Sequence, residues 1–205
     1  MIDGVTSSLL LAMKPSSFAP RTSYLWLVVL AALPAMPQSR PLDTARSSIT
    51  IRVGRSGVFS FAGDNHLVRA PLASGSVNEA SKSVEFKVQS KSLRVEDPGR
   101  AADKKAEIQQ RMLGPDVLDS EHFAVIQFRS TAISGAPADL RVAGNLTLRG
   151  QTHPVEAKVQ QIAKGHWRGT ATLKQSAFGI KPISLAGGTV RVKDELKLEF
   201  EIFAK

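Results

Sequence analysis

The sequence predicts an all-β protein, a single antiparallel β-barrel of about eight strands with one short helix covering an end. Apolar and polar residues alternate along most of the chain after residue 47, turn-forming residues separate the alternating segments, and few helical patterns come between them. An open sheet of about nine such segments would leave two raw edges, whereas a closed barrel leaves none. About eight strands enclose an interior just large enough for side chains or one small ligand.

The strand predictions rest on apolar residues at every second position, a pattern typical of a sheet with one face in the core and one in water. The clearest segments are 49–53, 84–88, 140–148 and 196–202, and the weaker ones are 58–62, 72–77, 125–133, 155–162 and 167–174. Gly150 lies between two of them, where a tight turn needs a positive φ and a Cβ would be costly.

One helix is predicted over residues 101–113. Asp97-Pro98 precedes it, and Gly114-Pro115 stops it in the way that helices usually end. Its one weakly apolar face carries Ala101, Lys105, Ile108 and Met112. We expect this face to cover one end of the barrel.

Composition limits the chemistry. There are no cysteines, which excludes a disulfide scaffold, a Cys-ligated zinc site and a thiol nucleophile. The chain has 27 Lys and Arg against 18 Asp and Glu, a net charge of +9. Such an excess suits an anionic partner such as a membrane surface, but these charges alternate with apolar residues and favour a solvated basic surface. No interleaving of aromatic and basic residues indicates nucleic-acid binding.

The N-terminus is typical of a secretory signal peptide. Residues 24–33 are uncharged and mostly apolar, Lys14 and Arg21 precede them, and residues 34–39 are mostly small or proline. The apolar run is too short for a membrane-spanning helix, which needs about 20 residues. We therefore expect residues 1–39 to be a cleaved signal peptide and residues 40–205 to be the mature domain, in the periplasm or secreted. Cleavage after residue 35 is the first choice, and cleavage after residue 39 is the alternative. Met13 is a second candidate for the true start, and an uncleaved N-terminal anchor is the rival interpretation.

Several segments, in order along the chain, resemble the YceI-like family: 58–71 (VFSFAGDNHLVRAP), 111–120 (RMLGPDVLDS), 122–130 (HFAVIQFRS), 142–154 (VAGNLTLRGQTHP) and 177–180 (AFGI). This resemblance implies a lipocalin-like antiparallel barrel outside the cytoplasm. It also implies binding of a polyisoprenoid chain, such as an isoprenoid quinone or a prenyl phosphate, along the barrel interior. No cofactor and no metal are implied.

The inward-facing apolar positions are the candidate lumen residues: Phe59, Phe61, Phe86, Phe128, Leu146, Trp167, Leu196, Leu198 and Phe200. The candidate rim residues, which would meet a polar or anionic headgroup, are His66, Arg69, Arg55 and Lys181. A filled barrel that serves as an envelope stress or interaction protein is the rival, because barrel strands alternate whether the interior is hollow or packed. The resemblance favours a cavity and an isoprenoid lipid partner, with transient contact to a membrane surface.

A catalytic alternative centres on Asp64 and His66, since residues two apart on a strand face the same side and suit an acid/base pair or two metal ligands. A catalytic zinc, however, usually takes three protein ligands and a water. A turn-capping Asp beside a polar rim His is favoured. His122, His153 and His166 fall in loops or turns and are expected at the surface. The GxSxG, P-loop, GxGxxG and HExxH patterns are absent, and we predict no enzyme.

Overall fold

In the computed structural model, the described residues are 38–56, 65–185 and 190–205. They form twelve strands, one α-helix and two 3₁₀ turns, at Ser90–Ser92 and Gln175–Phe178. The strands and the helix are, in chain order, β1 Arg40–Pro41, β2 Ser48–Ser56, β3 His66–Arg69, β4 Ser74–Asn78, β5 Ser83–Gln89, β6 Arg94–Val95, α1 Ala102–Leu113, β7 Val125–Ala136, β8 Asp139–Leu148, β9 Gln151–Ala163, β10 His166–Lys174, β11 Ser184–Leu185 and β12 Val190–Phe203.

The strands form one curled antiparallel sheet, and the prediction of about eight strands in a closed barrel is wrong in both number and closure. Eleven strands follow one path in the order β1-β4-β5-β7-β8-β9-β10-β12-β2-β3-β6, and β11 pairs with β12 beside it. The path is open, with β1 at one edge and β6 at the other. The predicted strand 58–62 lies outside the described residues.

The count was too low because the additional strands are short. β1, β6 and β11 have two residues each, and β3 has four. A period of two leaves no detectable pattern in two residues. The stronger predicted segments all appear as strands. When apolar and polar residues alternate over many positions, only one strand register places all the apolar side chains on the buried face.

Both open edges are protected without closure. Edge strand β1 contains Pro41, which has no N–H to offer a neighbouring chain. Edge strand β6 is covered by α1: Gln109 Nε2 donates to the Leu93 carbonyl at 2.7 Å, and Gln109 Oε1 accepts from the Val95 N–H at 2.8 Å. Unpaired edge strands can pair with other chains. Here the edge strands are short, and Gln109 occupies the free backbone groups of β6, so this pairing is disfavoured without closure of the sheet.

The residues after β1 link two distant strands. The Leu42 N–H donates to Gly75 at the β4 side, at 2.9 Å, and the Asp43 N–H donates to Phe203 at the end of β12, at 2.7 Å. Leu42 and Ala204 also form an isolated bridge. The Lys205 N–H donates in turn to the Pro41 carbonyl at 2.9 Å, so a short bridge joins the β1 edge to the residues that follow β12.

The β8–β9 hairpin confirms the predicted positive φ at Gly150. Leu148 pairs with Gln151, and the two turn residues Arg149 and Gly150 have φ values of 48° and 71°. Positive φ at both positions is the type I′ hairpin turn. A Cβ on Gly150 would also come within 2.6 Å of the Phe123 ring, so both backbone and packing require glycine here.

Helix α1 confirms the prediction over 101–113 to within one residue, and Gly114 follows its last turn. Its residues Ile108 and Met112 face the sheet interior, where they line one end of a cavity. The helix thus covers an end of the curled sheet, as predicted. The buried core lies inside the curl, and Phe178 is its most completely buried large side chain.

Candidate ligand-binding cavity

The interior of the sheet holds two adjoining cavities of about 400 and 440 Å³. The first, here the helix lobe, is lined by α1 residues such as Met112; the second, the hairpin lobe, reaches Pro137 in the β7–β8 turn. Both lobes share the wall residues Ile49, Phe86, Leu146, Leu173 and Leu198. Volumes of this size are usual for small-molecule sites, which span about 300–1,000 Å³. The described side chains therefore do not fill the space inside the curl.

Most of the predicted lumen residues lie on this cavity. Phe86, Leu146 and Leu198 belong to the shared wall, Leu196 lines the helix lobe, and Phe128, Trp167 and Phe200 line the hairpin lobe. The rings of Phe86 and Phe128 stack with centroids 5.3 Å apart. Phe59 and Phe61 lie outside the described residues. An apolar wall of this kind offers dispersion contacts and few hydrogen bonds, which suits a hydrocarbon chain.

The predicted rim residues are dispersed. His66 lines the helix lobe, but Arg69 pairs with Glu96 at 3.7 Å through a side chain that is half exposed. Lys181 is exposed. Among the described side chains, neither Arg69 nor Lys181 lines either lobe, and the side chain of Arg55 falls outside that described set.

The cations that do line the helix lobe are Lys104 and Arg111 of α1 and Arg100, two residues before its start. The sequence prediction missed them. The spacing of seven residues places Lys104 and Arg111 on one helix face beside Ile108 and Met112. This spacing was the available signal, but a charged stripe on a helix more often faces water.

A polar cluster closes one side of the helix lobe. His66 Nδ1 lies 2.7 Å from Asp97 Oδ2, Arg100 Nε lies 3.0 Å from the same oxygen, and the Leu67 N–H donates to Asp97 Oδ1 at 2.7 Å. Asp97 has only 4% of its side chain exposed. Burial alone would raise the pKa of this carboxyl, but hydrogen bonds from His66, Leu67 and Arg100 outweigh it and lower the pKa.

The carboxylate partner of His66 is thus Asp97, 31 residues away in sequence, while the predicted partner Asp64 lies outside the described residues. Within the ranges 38–56, 65–185 and 190–205, no group of three or more His, Asp and Glu side chains is placed to hold a metal ion. No helix in those ranges is long and apolar enough to cross a membrane.

Of the other three histidines, one is exposed as predicted and two are more buried than predicted. His122 is exposed and lies 2.8 Å from Asp119, as expected for a surface residue. His153 is half-buried and meets the Phe178 ring edge-on at 5.2 Å. His166 is also half-buried, with Nε2 2.7 Å from Glu201 and its ring stacked on Phe203 at 4.2 Å. Strand pairing buries these two side chains, although each follows a turn in the sequence.

Gln175 is a further polar residue of the helix lobe that the sequence prediction missed. It begins the 3₁₀ turn after β10, only 6% of it is exposed, and its Nε2 donates to the Lys193 carbonyl at 2.7 Å. Nothing in the local sequence distinguishes this residue from an exposed glutamine. Its position depends on the pairing of β10 with β12.

The fold and the cavity define a class: a small protein whose curled antiparallel sheet surrounds a largely apolar, ligand-sized interior with polar groups at both ends. Residues 41–204 match the YceI-like domain model. The chain belongs to the YceI-like family, which confirms the resemblance found in the sequence.

Curated bacterial relatives agree with this assignment. A UPF0312 protein of Shewanella putrefaciens is 27% identical over 183 residues, which cover 83% of this chain and 91% of the relative. A UPF0312 protein of Vibrio cholerae is 27% identical over 170 residues, covering 77% and 84%. Another from Shewanella sp. is 32% identical over 104 residues, and there the match spans about half of the relative, 54%.

Two solved structures share the fold. The polyisoprenoid binding domain from Saccharophagus degradans, described as implicated in plant cell wall breakdown, matches with a TM-score of 0.55 at 13% identity, covering 80% of this chain and 97% of that one. BcnA of Burkholderia cenocepacia matches with a TM-score of 0.53 at 20% identity, covering 80% and 99%. At these identities the likeness concerns the fold.

Proposed function

We propose that this chain binds an isoprenoid lipid, with the prenyl chain lying along both lobes and the headgroup at the helix lobe. The observation that carries the proposal is the pair of adjoining apolar cavities of about 400 and 440 Å³ inside the sheet. The polyisoprenoid binding domain with the same fold supports the choice of ligand. The lobes meet along a shared wall, so one extended chain fits them better than two compact ligands.

The orientation of the lipid follows from the distribution of polar groups. The helix lobe carries His66, Gln175 and three cations of the α1 region, the hairpin lobe carries Asn78, Glu79, Lys82 and Gln161, and the shared wall is apolar. Gln175 is the buried residue among these polar groups, so polar contacts reach deepest in the helix lobe. A headgroup placed along the shared wall would lose its hydrogen bonds to water and gain none, which is costly. The same headgroup at the helix lobe keeps polar partners.

We infer that the chain acts by binding and not by catalysis. Asp97 and His66 resemble an oriented acid/base pair, but Asp97 also accepts from Arg100 and the Leu67 N–H, which makes it an anchor between β3 and the start of α1. The cavities also argue against the rival of a packed interior. Loading or release of a lipid would involve transient contact with a membrane surface.

The bound lipid is the direct test of the function. Protein purified from its own envelope should carry an isoprenoid lipid that native mass spectrometry detects and that organic extraction removes. The Phe86→Ala variant, altered at the shared wall, should carry less. Protein that arrives empty and also fails to take up added geranylgeraniol would contradict the proposal.

Export is a separate part of the proposal, supported by the apolar segment 24–33 and the small residues after it. The mature protein in the envelope fraction should begin between residues 33 and 41, just past the apolar run. N-terminal sequencing measures this. A mature protein that retains residues before Tyr24 would contradict cleavage.

A further inference from the structure

Gln175 presents an acceptor to the helix lobe that no described residue uses. Its Nε2 donates to the Lys193 carbonyl, and because that oxygen needs a donor, the orientation of the amide is determined. Among the described residues no hydrogen bond reaches Oε1. In the same part of the chain every fully shielded side-chain oxygen or nitrogen has a partner, so Oε1 remains accessible from the lobe that Gln175 lines.

His66 offers a second polar atom to the same lobe. The lowered pKa of Asp97 keeps this carboxylate ionised, and an ionised carboxylate only accepts hydrogen bonds. The ring nitrogen facing it, Nδ1 at 2.7 Å, therefore carries a proton. The other ring nitrogen, Nε2, has no hydrogen-bond partner among the described residues.

The two residues reach the lobe from different walls. His66 pairs with Val53, Val53 with Leu196, and Leu196 with Leu173, while Gln175 follows two residues after Leu173. The apolar side chains of Val53, Leu196 and Leu173 line the lobe between them. Gln175 Oε1 can only accept a hydrogen bond, so a ligand that donates would satisfy an atom for which the described residues supply no donor.

We propose that the helix lobe selects a headgroup carrying a hydroxyl donor, which is a prenyl alcohol or a prenylated hydroquinone; this rests on the proposed lipid-binding function. A quinone carbonyl or an ionised phosphate has only lone pairs to offer the Gln175 acceptor. The cations near the lobe are partly neutralised, since Arg100 lies 3.0 Å from Asp97 and Lys104 lies 3.3 Å from Glu107. Arg111 also lines the lobe, so a phosphate is one arm of the test.

The test compares headgroups on one prenyl chain. Geranylgeraniol should bind the mature protein about three- to tenfold more tightly than its methyl ether, which keeps the oxygen and loses the donor. A prenylated hydroquinone should exceed its quinone by a similar factor under reducing conditions. Geranylgeranyl phosphate should gain nothing over the alcohol. Tighter binding of the phosphate would overturn the proposal in favour of Arg111 and its neighbours.

Variants then locate the headgroup. Gln175→Met removes the acceptor at similar volume and should reduce the preference for the alcohol over the ether. His66→Asn keeps a donor for Asp97 while removing Nε2, and it should retain the preference if Gln175 alone accepts from the hydroxyl. Gln161→Met, in the hairpin lobe, is the matched control and should retain it. The proposal is overturned if only the control variant loses the preference, or if alcohol and ether bind the wild type equally. If the alcohol and the ether both bind with equal affinity, the headgroup proposal fails and the proposed lipid-binding function stands. If neither ligand binds, the proposed function itself is contradicted.

Discussion

Asp97 is a single buried carboxylate on which the polar cluster of the helix lobe depends. It accepts from His66, from the Leu67 N–H and from Arg100, and so joins the start of β3 to the residues before α1. Its pKa is lowered because these hydrogen bonds outweigh the effect of burial. The ionised form therefore stabilises the folded state, and this contribution is present above the ordinary carboxyl pKa and lost as pH falls through the lowered one.

Replacing Asp97 by Asn tests this residue. At neutral pH the variant should lose about 1.5–3 kcal/mol of unfolding free energy, because hydrogen bonds to a charged group become neutral ones. The difference from wild type should begin to shrink as pH falls below the ordinary carboxyl pKa of about 4, and it should be lost once the pH falls through the lowered pKa of the folded carboxyl. Urea denaturation over a pH series measures it, with Asp116→Asn as an exposed control. A difference independent of pH would show that the charge of Asp97 is not the cause.

At the scale of elements, α1 has two roles that its sequence shows only in part. Its Ile108 and Met112 line the helix lobe, and its Gln109 occupies the backbone groups of edge strand β6. The helix has no fully buried residue, so its own apolar burial is modest. Its attachment depends on the two hydrogen bonds of Gln109 as well as on apolar packing.

Gln109→Leu should therefore loosen the β6 edge. The Val95 N–H and the Leu93 carbonyl would lose their side-chain partner, at a cost of about 1–3 kcal/mol where water does not replace it. Amide hydrogen exchange at Val95 should accelerate relative to wild type. Gln110→Leu, at the exposed neighbouring position, should leave the exchange rate unchanged. Equal protection of Val95 in both variants would mean that packing alone holds the helix.

At the scale of the whole molecule, the two lobes act as one apolar volume, so affinity should depend on prenyl length. At about 0.3 kcal/mol per heavy atom, a chain of about 20 carbons gains roughly 6 kcal/mol and one of about 40 carbons roughly 12 kcal/mol, from tens of micromolar to near nanomolar. Affinity should rise with isoprene number and level off once both lobes are full. Rim ion pairs are solvent-screened and contribute about 1 kcal/mol or less.

Titration of prenyl alcohols of increasing length measures this dependence. In Ala157→Phe, which fills part of the hairpin lobe, the gain from longer chains should be reduced while short chains bind as before. Ala163→Phe, at the exposed end of β9, is the matched control. Affinity that ignored chain length but followed the phosphate would place the binding site on the basic surface.

The sequence by itself determined the features that depend on neighbouring residues. Alternation over many positions predicts the long strands, because one buried face permits a single register. The flanking prolines and Gly114 predict the bounds of α1, and Gly150 predicts the hairpin turn, because backbone conformation at such residues is a local property. The ordered motifs were also sufficient to predict the family.

Only the tertiary structure decided what depends on residues far apart in the chain. The open edges, the partnership of His66 with Asp97 across 31 positions, and the inward placement of Gln175 and the α1 cations all follow from strand pairing. The closed barrel was predicted from the hazard of free edges, which short strands and Gln109 remove instead. The cavity inside the sheet also depends on how side chains from different strands pack. Apolar and polar residues alternate in the same way along the strands whether the interior is filled or open, so the sequence pattern does not distinguish the two.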